Sequence, residues 1–241
     1  MARHLILILE GALSAYGGEM VDARGPVRDW PGASLLTGLF ANALGYNRAQ
    51  RAAHARLQAR IDFAVRIDRP GERMQDYQTA QLAHSDQGWT TRGTPEGREG
   101  GASTYKSPHI RWRDYFADSR TIVALALRDA AEVPTLDDLA AALSEPVRPL
   151  FLGRKPCLPT RPILEKVVEA ADPLDAITMM DPLESESDPV IVVRDRPGLP
   201  AAWERLFVTD ERDWVSGVHA GERIFRRGRA SRLAQPEGPA P

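Results

Sequence analysis

Residues 84–113 form a long polar segment that limits how the rest of this 241-residue chain can fold. These thirty residues contain five glycines, five Arg or Lys side chains and three large aromatics (Trp89, Tyr105 and Trp112), but almost no aliphatic residue. The segment therefore cannot bury a core of its own. Structureless segments of this length are uncommon inside a compact domain, and they are usually functional or disordered. We expect the folded body to form from the sequence on either side, with this segment projecting from it.

The composition of the segment fits two interpretations. Guanidinium and ammonium groups neutralise phosphates and aromatic rings stack on bases, so these residue types suit an extended single-stranded nucleic acid. A solvated surface loop would have the same composition, and composition alone does not separate the two.

The distribution of charge is a further constraint. The formal net charge of −2 argues against a free-standing nucleic-acid-binding protein, which is normally basic. Residues 162–188, however, contain eight acidic residues and one Lys, whereas residues 221–232 contain five Arg and one Glu. Opposite charges on two surfaces suit a subunit that touches nucleic acid on one side and proteins on the other. Ordinary scatter of surface charge is the alternative.

Other features narrow the chemistry and the compartment. The single cysteine, Cys157, excludes an internal disulfide framework and fits a reducing cytoplasm. The apolar run at the N-terminus is too short for a signal peptide or a membrane span, so we expect a cytoplasmic protein that does not enter a membrane. The five histidines show no paired metal-ligand spacing, and the glycines match no dinucleotide-binding or phosphate-binding motif. The sequence therefore predicts no metal and no cofactor.

The hydrophobic pattern before the polar segment predicts strands and helices. The run from His4 to Leu9 is almost wholly aliphatic, which is typical of a central strand covered on both faces. Residues 34–44 place their apolar side chains on one helical face, with Gly45 as a stop, and a second helical piece covers 48–60. Residues 61–68 alternate between apolar and polar, as in a half-buried strand.

The pattern after the polar segment completes a known topology. Residues 120–127 predict a third strand, Thr135 and Asp138 form a capping box at the start of a helix, and residues 147–152 are a candidate last strand. The order βαββαβ is that of a ferredoxin-like α+β unit, with the polar segment as a thumb between the second and third strands. RNA-recognition (RRM-like) domains share this topology, but so do many unrelated proteins, so the fold alone does not identify the function.

The chain divides into two predicted regions and a tail. We expect a ferredoxin-like RNA-binding domain over residues 1–153, with its thumb at about 84–113, and a smaller β-rich region over 154–233. Short strands are predicted at 190–193 and 205–208 within the second region. Residues 234–241, rich in Pro and Gly, are expected to be a disordered tail.

Three stretches, in their order and spacing, resemble a known family. They are LEGALSAYGG with PGASLLTGLFANALGY (residues 9–18 and 31–46), IRWRDYFADSRTIVALAL (110–127), and PLFLGRKPCLPTRPI with DPLDA (149–163 and 172–176). Together they resemble the CRISPR-associated family of 5′-handle-binding subunits in type I-E Cascade complexes, within the repeat-associated RNA-binding superfamily. The likeness covers roughly residues 1–180, and LGRKPCLP (152–159) is its most specific piece.

The resemblance implies a function, a set of partners and a set of RNA-binding residues. It implies a ferredoxin-like body with a thumb, and a non-catalytic subunit that caps the 5′ handle of the CRISPR guide RNA in antiviral defence. The implied partners are the guide RNA, the repeated backbone subunit, the large subunit and other Cascade subunits, with target DNA reached through the complex. The implied RNA-binding residues are Arg24 and Arg28 in a segment over residues 9–28 that we call the glycine-rich opening, Lys106, Arg111, Trp112 and Arg113 at the base of the thumb, and Arg154, Lys155 and Cys157 in a turn.

Two other functions stay open at this point. Related subunits of another CRISPR subtype are metal-independent ribonucleases, and such chemistry uses His, Tyr or Lys to activate the 2′-hydroxyl and protonate the leaving oxygen. Tyr46, Lys106 and His109 are candidates, although Tyr46 suits packing at a helix end and His109 suits a solvated loop. The type I-E likeness favours binding with no catalytic residue. A structural scaffold without RNA contact is the third possibility, and it leaves the basic segment unexplained. The Arg226–Arg229 cluster lies where the family varies and receives no role.

Overall fold

A computed structural model describes residues 1–18, 23–81, 88–89, 95–96, 108–181 and 188–234. The helices within these ranges are α1 (Ala33–Ala43), α2 (Arg51–Arg60), α3 (Leu136–Ser144) and α4 (Pro173–Thr178), with a 3-10 helix over Ala230–Ala234. The strands are β1 (Ala2–Ser14), β2 (Tyr16–Gly17), β3 (Arg24–Gly25), β4 (Val27–Arg28), β5 (Ile61–Arg69), β6 (Glu72–Ala80), β7 (Gly88–Trp89), β8 (Pro95–Glu96), β9 (His109–Leu127), β10 (Leu164–Ala170), β11 (Val190–Arg194), β12 (Glu204–Val208), β13 (Glu211–Arg212), β14 (His219–Ala220) and β15 (Arg223–Arg229).

One large sheet organises the molecule. Its strands lie in the order β10-β1-β9-β5-β11-β15-β12, with β3 and β6 pairing to β9 outside this path. Every pairing along the path is antiparallel, and the short pair between β3 and β9 is parallel. The fold is therefore mixed α/β, built on a large antiparallel sheet with few helices among the described residues.

The central strand β1 is buried on both faces, which confirms the prediction from its aliphatic run. Leu5, Leu7 and Leu9 pack in one hydrophobic cluster with residues of α1, α2 and α3. Ile6 and Ile8 pack in a second cluster with residues of α4. Because successive side chains of a strand point to opposite faces, a run without polar residues requires cover on both sides.

The strand predicted at residues 61–68 is confirmed as β5, but it is buried rather than half-buried, because α4 covers its second face as well. Arg66 and Asp68 lie on that face, both buried, and pair through Arg66 Nε and Asp68 Oδ1 at 2.6 Å. Arg66 also donates hydrogen bonds to the carbonyl oxygens of Ile177 and Met180 at the end of α4. Arg66 and Asp68 are therefore satisfied by bonds inside the protein rather than by water.

The strand predicted at residues 147–152 is wrong. Pro149 has no N–H to donate, and the Leu152 N–H donates to the Cys157 carbonyl oxygen at 2.7 Å, so these residues form irregular backbone that leads into a turn at 153–157 and pair with no strand. The strand that pairs with the outer side of β1 is β10. The capping box of Thr135 and Asp138 at the start of α3 is confirmed.

A polar strand that the sequence analysis missed, β6, pairs with residues 109–117 of β9. We call β6 and these residues of β9 the arm. Residues 109–113, predicted as part of an irregular thumb, are therefore strand. The predicted thumb residues Tyr105 and Lys106 lie outside the described residues, as does the side chain of Trp89, whose backbone pairs with Pro95.

The C-terminal region extends the same sheet. The strands predicted at 190–193 and 205–208 are confirmed as β11 and β12, and β11 pairs with β5. A buried carboxylate, Asp210, joins this region to α1, because its Oδ2 accepts the Ala33 N–H at 2.7 Å and its carboxylate pairs with Arg223. The predicted tail beyond residue 234 lies outside the described part of the chain. No helix of the described ranges is long and apolar enough to cross a membrane.

Candidate nucleic-acid interface

The glycine-rich opening lies directly against the arm. β3 runs parallel to β9, with Arg24 opposite Trp112 and Gly25 opposite Arg113. The Trp112 N–H donates to the carbonyl oxygen of Ala23 at 3.0 Å. Two segments that lie far apart in sequence, and that the resemblance marks for RNA binding, are thus neighbours in space.

The strand geometry separates the predicted residues of β9 onto two faces of the arm. Trp112 points to one face, whereas Arg111 and Arg113 point to the other, because side chains alternate along a strand. On the first face Trp112 lies opposite Tyr77 of β6, with ring centroids 5.8 Å apart in an edge-to-face arrangement. We call this the aromatic face. Tyr77 is 56% exposed, so its ring is open to a ligand.

A buried carboxylate organises the rest of the aromatic face. Asp114 accepts hydrogen bonds from Arg73 Nη2 at 2.5 Å and Gln75 Nε2 at 2.8 Å. Burial alone would raise the pKa of the Asp114 carboxyl, but the hydrogen bonds from Gln75 and Arg73 outweigh it and hold this pKa below its usual range. The ionised Asp114 carboxylate therefore holds the Arg73 and Gln75 side chains in place at the edge of a pocket. The residues lining this pocket are Arg24, Gly25, Pro26, Arg73, Gln75, Trp112 and Asp114.

The opposite face, which we call the cationic face, carries Arg111, Arg113 and Arg154. Arg154 Nη1 donates to the Asp114 carbonyl oxygen at 2.8 Å and its Nη2 to the Gly25 carbonyl oxygen at 2.9 Å. Its guanidinium also lies 4.9 Å from the centroid of the Tyr115 ring. These contacts tie the turn at 153–157 to both the arm and the glycine-rich opening.

The guanidinium groups on the cationic face repel one another. Burial, followed by the charges of Arg154 and Arg111, lowers the pKa of Arg113. Arginine stays protonated in proteins, so the cluster remains positive. A bound phosphate would relieve this repulsion, which makes the cationic face a suitable anion site.

Gly25 makes the close approach of these cations possible. A Cβ atom added at Gly25 would lie 2.7 Å from Arg113 Nη1 and 2.8 Å from Arg154 Nη2. Any side chain at this position would therefore push one or both guanidinium groups away from the backbone.

The turn at 153–157 exposes one predicted residue and buries another. Gly153 has a φ of +100°, and a Cβ there would collide with the Ala15 carbonyl oxygen. Lys155 is exposed, whereas Cys157 is fully buried and its N–H donates to the Arg154 carbonyl oxygen at 2.9 Å. Burial raises the pKa of the Cys157 thiol. Its side chain therefore packs in the core beneath the turn that presents Arg154 and Lys155.

The structure places Arg28 in a separate groove, beside the pocket of the aromatic face. Arg28 Nη2 donates to the Thr209 carbonyl oxygen at 2.8 Å. Lys106 lies outside the described residues. Sequence reasoning missed Arg73, Gln75 and Tyr77, although their every-second-residue spacing is the signal of one strand face.

The candidate ribonuclease residues gain no support from the described geometry. Tyr46 follows α1 with its ring centroid 5.6 Å from that of His54, and its partial burial fits the packing alternative. The backbone of His109 lies at the start of β9, opposite Ala80, and its side chain is not described. The described residues also contain no cluster of three or more His, Cys, Asp or Glu placed to hold a metal ion.

Comparison with known proteins defines the class of this protein. The family described as CRISPR-associated protein (Cas_Cas5) matches residues 4–226, and the chain belongs to this family. The curated relative CRISPR system Cascade subunit CasD, from Escherichia coli strain K12, is 29% identical over 183 residues, which are 76% of this chain and 79% of that protein. The resemblance found in the sequence is thereby confirmed.

Two solved structures share the fold. A chain of a structure titled CRISPR RNA-guided surveillance complex superposes with a TM-score of 0.66 at 21% identity, covering 94% of this chain and 89% of the other. A structure titled Crystal structure of Cas protein superposes with a TM-score of 0.58 at 22% identity, covering 98% of this chain and all of the other.

Proposed function

We propose that this protein is a non-catalytic RNA-binding subunit of a type I-E Cascade complex, which caps the 5′ handle of the guide RNA. One observation carries the proposal. The glycine-rich opening, the arm and the turn at 153–157 meet around Gly25, where Arg154 binds the backbone of the other two segments. The relationship to Cascade subunit CasD supports the assignment to this complex and to its backbone and large subunits as partners.

The two faces of the arm suggest how the RNA is held. Phosphates lie on the cationic face, where Arg113 and Arg154 supply charge, and an unpaired base stacks on Trp112 or Tyr77 of the aromatic face. Because the faces are on opposite sides of β9, the RNA crosses the edge of the arm between the two contacts. No role in this binding requires proton transfer, which agrees with a non-catalytic subunit.

The body is proposed to be a ferredoxin-like split unit. If β1, β5, β9 and β10 are its first to fourth strands, the sheet order is fourth, first, third, second, with all three pairings antiparallel. α1 and α2 connect the first strand to the second, and α3 connects the third to the fourth. This connectivity is that of the split βαβ unit.

The test is assembly with RNA. The chain is co-expressed with the other Cascade subunits and a repeat–spacer array, and the purified complex is analysed for RNA of a fixed 5′ end. Arg113→Ala combined with Arg154→Ala is expected to abolish or strongly reduce the bound guide RNA. The control, Arg51→Ala combined with Arg194→Ala, removes the same charge from exposed positions on α2 and β11 and is expected to assemble normally.

Two results would overturn the proposal. Full guide RNA content in a correctly folded Arg113→Ala, Arg154→Ala complex would remove the cationic face from the interface. If crosslinking finds no RNA contact to this subunit in the assembled wild-type complex, the subunit is a structural scaffold rather than an RNA-binding protein.

A further inference from the structure

The groove that holds Arg28 lies between the glycine-rich opening and β12, which is the edge strand of the main sheet. The residues lining it are Gly18, Pro26, Val27, Arg28, Trp30, Leu206, Phe207, Val208 and Thr209. β12 pairs with β15 on one side only within the described sheet, so the groove follows its outer edge.

An exposed aromatic ring stands at this groove. Phe207 is 61% exposed although it lies in a strand. The guanidinium carbon of Arg205 lies 5.5 Å from the centroid of its ring. A large aromatic left open to water beside a cation is the arrangement on which unpaired bases stack.

The groove also carries a positive charge in a fixed position. The hydrogen bond from Arg28 to the Thr209 carbonyl oxygen holds this side chain at the groove. A carbonyl does not neutralise the guanidinium, so its charge remains available to a phosphate. The charge of Arg205 is shared with Asp195, whose Oδ2 lies 3.5 Å from Arg205 Nε.

The groove adjoins the pocket of the aromatic face. Pro26 lines both, with Arg24 and Gly25 on the side of the arm and Val27 and Arg28 on the side of the groove. An RNA strand that passes from the pocket over Pro26 would therefore enter the groove directly.

We propose that this groove is a second subsite for the same single-stranded RNA, in which Phe207 stacks on an unpaired base and Arg28 contacts a neighbouring phosphate. The inference rests on the proposed function and extends the RNA path from the arm to the edge of the sheet. A peptide strand added to β12 is the competing occupant. The combination of an open ring, a fixed cation and continuity with the arm favours RNA over a peptide.

The test uses the RNA that co-purifies with the complex, synthesised with 2-aminopurine at one position at a time. In wild-type protein we expect one position beyond the arm to show the low fluorescence of a stacked base. Phe207→Ala is expected to restore the fluorescence at that position and to weaken binding roughly 5-fold to 100-fold, the effect of losing one stacked base. Phe207→Trp keeps a ring and is expected to bind as wild type. Arg28→Ala is expected to make the log–log salt slope shallower by about 0.7.

The outcomes separate this inference from the proposed function. If Phe207→Ala binds RNA as wild type with no change at any position, the subsite is wrong, while the Arg113 and Arg154 variants still decide the role of the cationic face. If Phe207→Ala keeps its RNA but loses a protein subunit from the complex, the groove binds protein instead. If no RNA co-purifies with the wild-type complex, both proposals fall.

Discussion

Gly25→Ala tests the cationic face without removing a charge. The substitution adds one methyl group, which would lie 2.7 Å from Arg113 Nη1 and 2.8 Å from Arg154 Nη2. Gly25 does not have a positive φ, so alanine causes no backbone strain here. The atoms that must move are the ends of two flexible side chains, and the backbone can stay in place.

The expected effect is large for RNA binding and small for folding. Losing the hydrogen bond from Arg154 to the Gly25 carbonyl costs about 1 kcal/mol of folding free energy. For single-stranded RNA, each neutralised phosphate contributes about −0.7 to the log–log salt slope. If both guanidinium groups lose their phosphates, the slope becomes shallower by up to about 1.4.

The assay is a salt titration of RNA binding, together with a thermal denaturation curve. Gly17→Ala is the matched control, because it lies in the same glycine-rich opening and a Cβ there would meet nothing within 4 Å. Gly17→Ala is expected to keep the wild-type slope. A wild-type slope in folded Gly25→Ala would refute the view that Arg113 and Arg154 hold phosphates. A large drop in the melting temperature would show that Gly25 serves folding instead.

Three further predictions concern other parts of the chain. The isolated protein is expected to leave its repeat RNA intact without metal, and specific cleavage that disappears in Tyr46→Phe or His109→Ala would contradict a binding-only role. Asp210→Asn is expected to lower the free energy of unfolding by about 3 kcal/mol, because it removes the nearest carboxylate from the buried Arg223 and leaves it the longer, 3.5 Å ion pair with Glu211. Asp137→Asn, in an exposed pair with Arg3, is expected to have a much smaller effect, and equal effects in denaturant titrations would refute this. Replacing residues 86–104 with a short Gly-Ser link is expected to leave the melting temperature nearly unchanged, since loop-closure cost varies only logarithmically with length, but to impair guide-RNA incorporation; unfolding would make the segment structural, and normal incorporation would remove it from the interface.

Apart from the exposed strand β12, the elements that sequence patterns predicted are mostly those with a clear burial pattern or a local signature. The aliphatic run of β1 and the apolar strand β11 are buried on both faces, and the capping box of α3 is a local signature. β6 was missed because nearly all its residues are exposed, so no hydrophobic alternation marks it. β10 was missed because it is an edge strand that mixes charged and apolar residues.

The candidate site was predictable in its residues but not in its arrangement. Arg24, Trp112 and Arg154 came from a resemblance, and nothing local to those segments indicates that they meet. The division between an aromatic and a cationic face depends on residues 109–113 being strand, whereas the sequence pattern predicts an irregular thumb there. Arg73 and Gln75 enter the site only through the register between β6 and β9.

The length of β9 has a mechanical consequence. Its 19 residues run as one strand from the tip of the described arm to the middle of the sheet, where β1 and β5 flank it, with a single left-handed residue, Asp118 (φ +54°), at the base of the arm. The arm is therefore anchored at one end, because the strand that forms it continues into the centre of the sheet. A force applied to the arm passes along the covalent backbone into the antiparallel ladders on both sides of β9, and many backbone hydrogen bonds share it. The stiffness of the arm at its base is therefore set by the sheet rather than by the side chains that contact a ligand.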